Sequence, residues 1–462
     1  MPKLLENIKT LIAEFRQTQQ TEAIPWVIDG KPNFARLISA GDGKYLRLSR
    51  KMVILIENFC GELKRNNTVL MRSYTDREWN DLFYSAIGPA LAQIHPDNNL
   101  DASAETVLNT VRETLQQLRS NEDSCEYVFG CTLFENSDIS TFEIGSVKFE
   151  PRITWLKRKK SEGDISEITA RRVKRSWHGE KIRNRKTSID SFREQNILDA
   201  VKTCPYVCTV QTKGLAPEAG RQKALMAARL AITSIAVRWP TPSSVLDGFN
   251  LLVDRSVRVQ SFLSYVPGRN NLAGIKMKGL PFGPTIDPAE WRGLLSQHRA
   301  EYDSVAEVIE LCTSPTGKVR RPKLTNALFQ ALIWFHEGCR ENVDTLAVVK
   351  FVASLDALAS GKGLSDICSL IEARLGMEKS DVIHVNGQTV HEAVKKIYNN
   401  GRSQTIHGTN DRLGHDWTSA RLFSEHLSRR CLVACLDWAG NNQSGDDPSL
   451  LKNDRVEACS LT

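Results

Sequence analysis

Apolar residues recur at helical spacing along most of the chain. In residues 1–20, Leu4, Leu5, Ile8, Leu11, Ile12 and Phe15 fall three and four apart, the spacing that lines one face of an α-helix. Residues 76–94 repeat the pattern through Trp79, Leu82, Phe83, Ala86, Ile87, Ala90, Leu91 and Ile94, and residues 104–119 through Val107, Val111, Leu115 and Leu118. Gly88-Pro89 is expected to kink the second of these helices and His95-Pro96 to end it, because proline lacks the N–H that continues the ladder. The run Met52-Val53-Ile54-Leu55-Ile56 suits a helix or a strand equally. Residues 1–120 therefore read as a mainly helical region.

The pattern then changes. Residues 127–134, 141–149 and 153–156 are rich in β-branched and aromatic side chains and read as strands, as does Cys204 to Gln211. Pro217 to Trp239 reads as a helix whose small residues suit close packing on a sheet. Residues 249–282 read as short strands and Gly/Pro turns, and Gly279 to Pro284 as a connection. Residues 121–285 thus form a mixed α+β region.

From 286 to 440 the helical period returns. Leu324, Ala327, Leu328, Ala331, Leu332 and Phe335 share one face, whereas Thr345 to Ala359 is apolar nearly all round, as in a buried helix. Shorter helices are expected at 365–375 and 388–398, with a long one at 418–438. Residues 441–462 are polar and read as a disordered tail. The fold class is a multidomain α+β chain: a mainly helical N-terminal region, a mixed middle and an all-α C-terminal bundle.

Charge sharpens this picture. The chain carries a formal net charge of +7, and residues 157–186 alone hold twelve Lys/Arg against four acids, so the basic excess lies in one stretch. Such a run is either a solvated arm or a phosphate-binding surface. The second reading makes Lys157, Arg158, Lys159, Lys160, Arg171, Arg172, Lys174 and Arg175 RNA-binding residues, with Trp155 and Trp177 placed to stack on bases. The eleven cysteines form no C-x-x-C pair and no zinc pattern, and read as reduced core residues in a reducing compartment. No apolar stretch is long enough to span a membrane and the N-terminus has no signal-peptide pattern, so a cytoplasmic protein without a membrane partner is expected.

Candidate chemistry lies in Tyr398-Asn399-Asn400-Gly401-Arg402-Ser403-Gln404-Thr405-Ile406-His407-Gly408. Arginine offers a permanent cation whose planar fork matches a phosphate, and histidine exchanges a proton near neutral pH. On a straight helix, residues five apart diverge by about 140°. Either Gly401 therefore ends the helix and the motif crosses a bend, which Asn399-Asn400-Gly401 favours as a C-cap signal, or a second protomer completes the pair.

Residues 322–440 resemble the HEPN superfamily, most closely its Apea-like branch. The resemblance rests on the aliphatic-aromatic helix Ala327 to Phe335, the buried helix Phe351 to Leu358, the Tyr-x3-Arg-Ser-x3-His-Gly signature (Tyr398, Arg402, Ser403, His407, Gly408) and the long closing helix. It implies a helical bundle that pairs with a second copy, and a metal-independent, cofactor-free endoribonuclease with Arg402 and His407 as catalytic residues. Asp356 stands where Apea-like members usually carry a glutamate. Asp356, Asn399 and Ser403 are supporting residues in this reading. A related toxin group carries a modifiable tyrosine two residues after the histidine, where this chain has Thr409.

The chemistry follows from the residue types. A histidine takes the 2′-OH proton or protonates the leaving 5′-oxygen, and the arginine offsets charge on the phosphorane oxygens, giving a 2′,3′-cyclic phosphate and a free 5′-OH. The resemblance implies a setting in prokaryotic antiviral defence or a toxin-like system, with a possible defence-system partner protein. The alternative is a non-catalytic HEPN subunit that holds RNA or a partner within a larger complex.

Overall fold

A computed structural model describes residues 2–20, 27–28, 31–32, 36–95, 98–119, 124–136, 138–254, 263–264, 272–273, 283–315, 317, 319–361, 363–383, 387–411 and 414–454. The chain is helix-rich and mixed α+β, and it divides into two compact units. The first comprises Met1–Cys125, Thr212–Lys223 and Ser314–Thr316, and the second Glu126–Gln211, Ala224–Thr313 and Gly317–Thr462.

The first unit opens with α1 (Pro2–Gln20), the two-residue strands β1 (Val27–Ile28) and β2 (Lys31–Pro32), and the hairpin β3 (Arg36–Ser39) and β4 (Tyr45–Leu48). Then follow α2 (Arg50–Arg65), α3 (Thr68–Ser73), α4 (Asp76–Ala92) and α5 (Leu100–Arg119). The ambiguous run at 52–56 is helical: Ser49 caps α2, and Met52, Val53 and Ile56 are buried. Pro89 lies inside α4, which continues to Ala92. The apolar stripes of α1, α2, α4 and α5 meet in one core that includes Ile8, Leu11, Ile56, Phe59, Trp79, Phe83, Val107 and Val111.

The second unit begins in β5 (Cys125–Thr132), β6 (Phe142–Ile144) and β7 (Val147–Pro151), followed by α6 (Arg152–Ser161), α7 (Glu167–Trp177), α8 (Ile189–Val201) and β8 (Tyr206–Thr212). Next come α9 (Pro217–Ala236), which belongs to this unit from Ala224, α10 (Pro242–Gly248), β9 (Asn250–Leu251), β10 (Leu263–Ser264) and β11 (Leu272–Ala273). The main sheet has the order β6-β7-β8-β5-β9, with β6–β7, β7–β8 and β5–β9 antiparallel. Residues 153–156, expected as a strand, are helical. Pro151 closes β7, the chain turns into α6 at Arg152, and Trp155 and Leu156 are buried on successive positions of that helix. Most of the expected short strands and turns at 249–282, and the connection at 279–284 up to residue 282, lie outside the described residues.

The remaining helices are α11 (Pro288–Gln297), α12 (Arg299–Thr313), α13 (Pro322–Arg340), α14 (Asp344–Leu358), α15 (Leu364–Leu375) and α16 (Val390–Lys395). A π-helical segment (Lys396–Ser403) leads into the short α17 (Gln404–Ile406), and α18 (Thr418–Asn441) and α19 (Leu450–Asn453) complete the chain. α14 packs against α13, α18 and the π-helical segment. The expected division at 285/286 does not separate compact units: one core runs from Phe129, Phe149 and Val210 of the sheet, through Ala228 and Ile235 of α9, to Phe335, Phe351, Leu355 and Leu436 of the helices.

The tail expected from 441 is ordered as far as Asp454. Leu451 is fully buried, Arg374 Nε donates to the Leu451 carbonyl at 2.6 Å, and the Trp438 indole donates to Asp454 at 3.1 Å. A polar sequence conceals this anchor because the contacts run through backbone carbonyls and one leucine. Residues 455–462 lie outside the described residues. All ten described cysteines are free, and all but Cys125 are buried. No described helix is long and apolar enough to cross a membrane.

Candidate active site and basic surface

The segment carrying Arg402 and His407 is launched by a reciprocal cap. Thr389 and Glu392 form a capping box at the start of α16, and Val390, Ala393, Val394 and Ile397 bury its inner face. The backbone then widens into the π-helical segment, where the Gln404 N–H reaches back five residues to the Asn399 carbonyl. Such widened turns are uncommon and concentrate at functional sites.

Gly401 sits inside this segment, buried against α14. A Cβ there would lie 2.5 Å from Val348 Cγ1, so glycine allows a close backbone approach. This corrects the expectation that Gly401 caps the helix and creates a bend. The left-handed cap is Gly408, with φ of +67° and the Thr409 N–H bonded to the Gln404 carbonyl at 2.9 Å.

Arg402 turns inward. Its Nη2 lies 2.9 Å from Asp356 Oδ2, and its Nη1 donates to the Tyr398 hydroxyl at 3.3 Å. The guanidinium carbon also stands 5.4 Å from the Tyr398 ring centroid. Asp356 projects from the buried α14, with its side chain 10% exposed. Its second oxygen accepts from the Gly363 N–H at 3.3 Å, and Gly363 holds φ of +90°. The Arg402 Nε is buried and makes no hydrogen bond among the described residues.

His407 turns outward. Its N–H bonds to the Ser403 carbonyl at 3.0 Å, but its ring is exposed and has no hydrogen-bond partner among the described residues. The two side chains thus diverge, as residues five apart on helical backbone do. Asn399 and Ser403 contribute carbonyls to the helix, and their half-buried side chains make no hydrogen bond among the described residues. Tyr398 and Gly363 join the site through the bonds just given. Gly363 has no sequence signal, because its role is a backbone N–H delivered by a loop 39 residues before Arg402.

The basic segment separates into two populations. Arg158 is locked between Glu150, Glu126 and Glu162 at 2.7, 3.3 and 3.0 Å, and Lys159 between Asp164, Glu162 and Glu126 at 2.7, 3.0 and 3.1 Å. Lys160 pairs with Glu167, Arg172 with Glu194, Arg175 with Glu180 and Arg185 with Asp190. Lys157, Arg171 and Lys174 are exposed and make no hydrogen bond or ion pair among the described residues. The expected stacking role of the tryptophans is corrected: Trp155 is buried, and the ring of Trp177 is half-buried and covered by the Arg152 guanidinium at 5.2 Å.

Among the described residues, no group of three or more His, Cys, Asp or Glu side chains is arranged to hold a metal ion. No family model, curated protein or solved structure matches the chain.

Proposed function

We propose that the chain is a metal-independent endoribonuclease in which Arg402 and His407 act on an RNA phosphate, with the C-terminal helices forming a HEPN-type bundle. The observation that carries this reading is the pairing of Arg402 with Asp356 one helical turn from an exposed His407 whose ring has no partner among the described residues. A buried carboxylate fixes the arginine fork in one orientation, while the His407 ring faces solvent.

In the proposed reaction an imidazole accepts the 2′-OH proton as the 2′-oxygen attacks phosphorus. The P–O5′ bond breaks and the leaving oxygen takes a proton from an imidazolium. Arg402 offsets charge on the non-bridging oxygens. Because Arg402 and His407 of one chain diverge, the working pair is assembled across a homodimer, His407 of each copy facing the other. The exposed His407 suits this arrangement. A role in prokaryotic defence, alone or with a partner protein, belongs to the same proposal. The product ends test the chemistry: cleavage must leave a 2′,3′-cyclic phosphate and a 5′-OH, and a 2′-deoxy substitution at the scissile nucleotide must abolish it.

A second reading, a non-catalytic subunit that holds RNA or a partner in a larger complex, is favoured by one observation. The Arg402 guanidinium is already engaged by Asp356 and Tyr398. It predicts RNA binding without cleavage, unchanged in Arg402→Ala and His407→Ala.

A further inference from the structure

We infer that the strap between α7 and α8, with the first turn of α8, is a single-stranded RNA platform on which Phe192 stacks against a base. That the strand is RNA rests on the proposed cleavage reading; the platform itself rests on the observations that follow.

The strap, residues 178–188, is held by internal bonds. Arg172 Nη2 donates to the Arg183 carbonyl at 2.8 Å, and Arg185 donates to Thr169 Oγ1 at 3.1 Å and to Asp190 at 3.0 Å. Ser166 also donates to Asp190, at 3.0 Å. The arginines that build this frame are therefore neutralised within it. The side chains of Lys181, Arg183 and Lys186 on the strap, and of Arg193 on α8, remain exposed with no hydrogen bond or ion pair among the described residues. The acids Glu180, Asp190 and Glu194 are already taken by frame arginines. Exposed cations that the described fold leaves unmatched are complementary to a phosphate backbone.

The first turn of α8, next along the chain, carries two apolar side chains that join no apolar cluster among the described residues. Ile189 is 74% exposed and Phe192 68% exposed, although Ser188 caps the helix and fixes their positions. An exposed phenylalanine among cations is the arrangement by which proteins hold unpaired bases, since every base has a π-face. A duplex hides those faces in its stack. A lipid surface would require a continuous apolar stripe, and beyond its first turn α8 exposes Arg193, Gln195, Asn196 and Asp199 instead. The occupant that fits is a single strand.

The test measures binding of a fluorescent single-stranded oligouridylate by anisotropy across a salt series, using full-length protein in a His407→Ala background so that the probe stays intact. Phe192→Ala and Phe192→Leu are each expected to weaken binding at least about fivefold, the lower end of one stacked base. Lys181→Gln/Arg183→Gln/Lys186→Gln is expected to flatten the log–log salt slope by about 2. These residues are exposed, so thermal melts matching the parent confirm folding. Undetectable binding, binding unaffected by both Phe192 substitutions, or binding only to phosphatidylserine vesicles overturns the inference. A wild-type protein that binds in this Phe192-dependent manner but never cuts RNA would sink the cleavage reading and leave the platform standing.

Discussion

The Arg402 guanidinium and the Asp356 carboxylate lie 2.9 Å apart, joining the π-helical segment to the last turn of α14. Removing either partner strands the other's charge in a largely desolvated place. Asp356→Ala and Arg402→Ala are each expected to lower unfolding stability by about 3 kcal/mol, the low end for broken buried pairs because Arg402 is a quarter exposed. The double variant is expected to lose clearly less than the sum. Urea denaturation of the four proteins checks the cycle; strict additivity would show that the pair is not coupled.

Gly401→Ala places a methyl group 2.5 Å from Val348 Cγ1. The expected cost is about 1–3 kcal/mol, with the π-helical segment pushed off α14. Val348→Ala vacates that space, so Gly401→Ala/Val348→Ala should be more stable than the two single losses combined predict. Equilibrium unfolding of the three variants measures it, and a Gly401→Ala protein as stable as wild type would contradict the close approach.

The paired and unpaired cations should behave differently. Arg158 bridges Glu150, whose side chain is 3% exposed, so Arg158→Ala is expected to cost about 3 kcal/mol. The exposed Lys174→Ala should stay within about 0.5 kcal/mol of wild type. Thermal and urea unfolding distinguish the two, and equal effects would refute the division.

Burial holds His298 below its ordinary pKa, with Arg238 adding to the effect, and burial also lowers His426, beside Arg430 and Arg429. Glu301 lies 3.0 Å from His298 Nδ1, but Arg238 lies 2.9 Å from the same nitrogen, so desolvation sets the direction. The unfolded chain therefore takes up these protons first as pH falls below about 6.5. Stability is fully present above that pH and declines through the window beneath it. The melting temperature should be higher at pH 7.5 than at pH 5.5, and His298→Gln/His426→Gln should shrink the difference.

What the sequence made legible follows from periodicity. The stripes of α1, α4, α5 and α13 are carried by residues spaced three and four apart, and such spacing survives without knowledge of the partner surface. Ile153 to Leu156 misled because four β-prone residues in a row outweigh the helix that Arg152 begins. The basic segment misled differently. Charge can be counted in a sequence, but whether Arg158 faces Glu150 or solvent is a tertiary fact. Phe192 carries no signal in the sequence, because its exposure, not its type, makes it informative. Arg402 and His407 stand out as a motif, yet the acid that holds Arg402 comes from another helix, and Gly401 suggests a cap because a buried glycine and a capping glycine look alike in one dimension.

Single-turnover cleavage of an end-labelled RNA in EDTA, comparing wild type with His407→Ala, measures the proposed chemistry itself. The exposed His407 should be removable with a stability change of about 0.5 kcal/mol or less, so any loss of rate reports chemistry. The expected result is cleavage by the wild type in EDTA and a fall of about 10²–10⁴-fold in His407→Ala. Equal cleavage by the two proteins, or none by either, would contradict it.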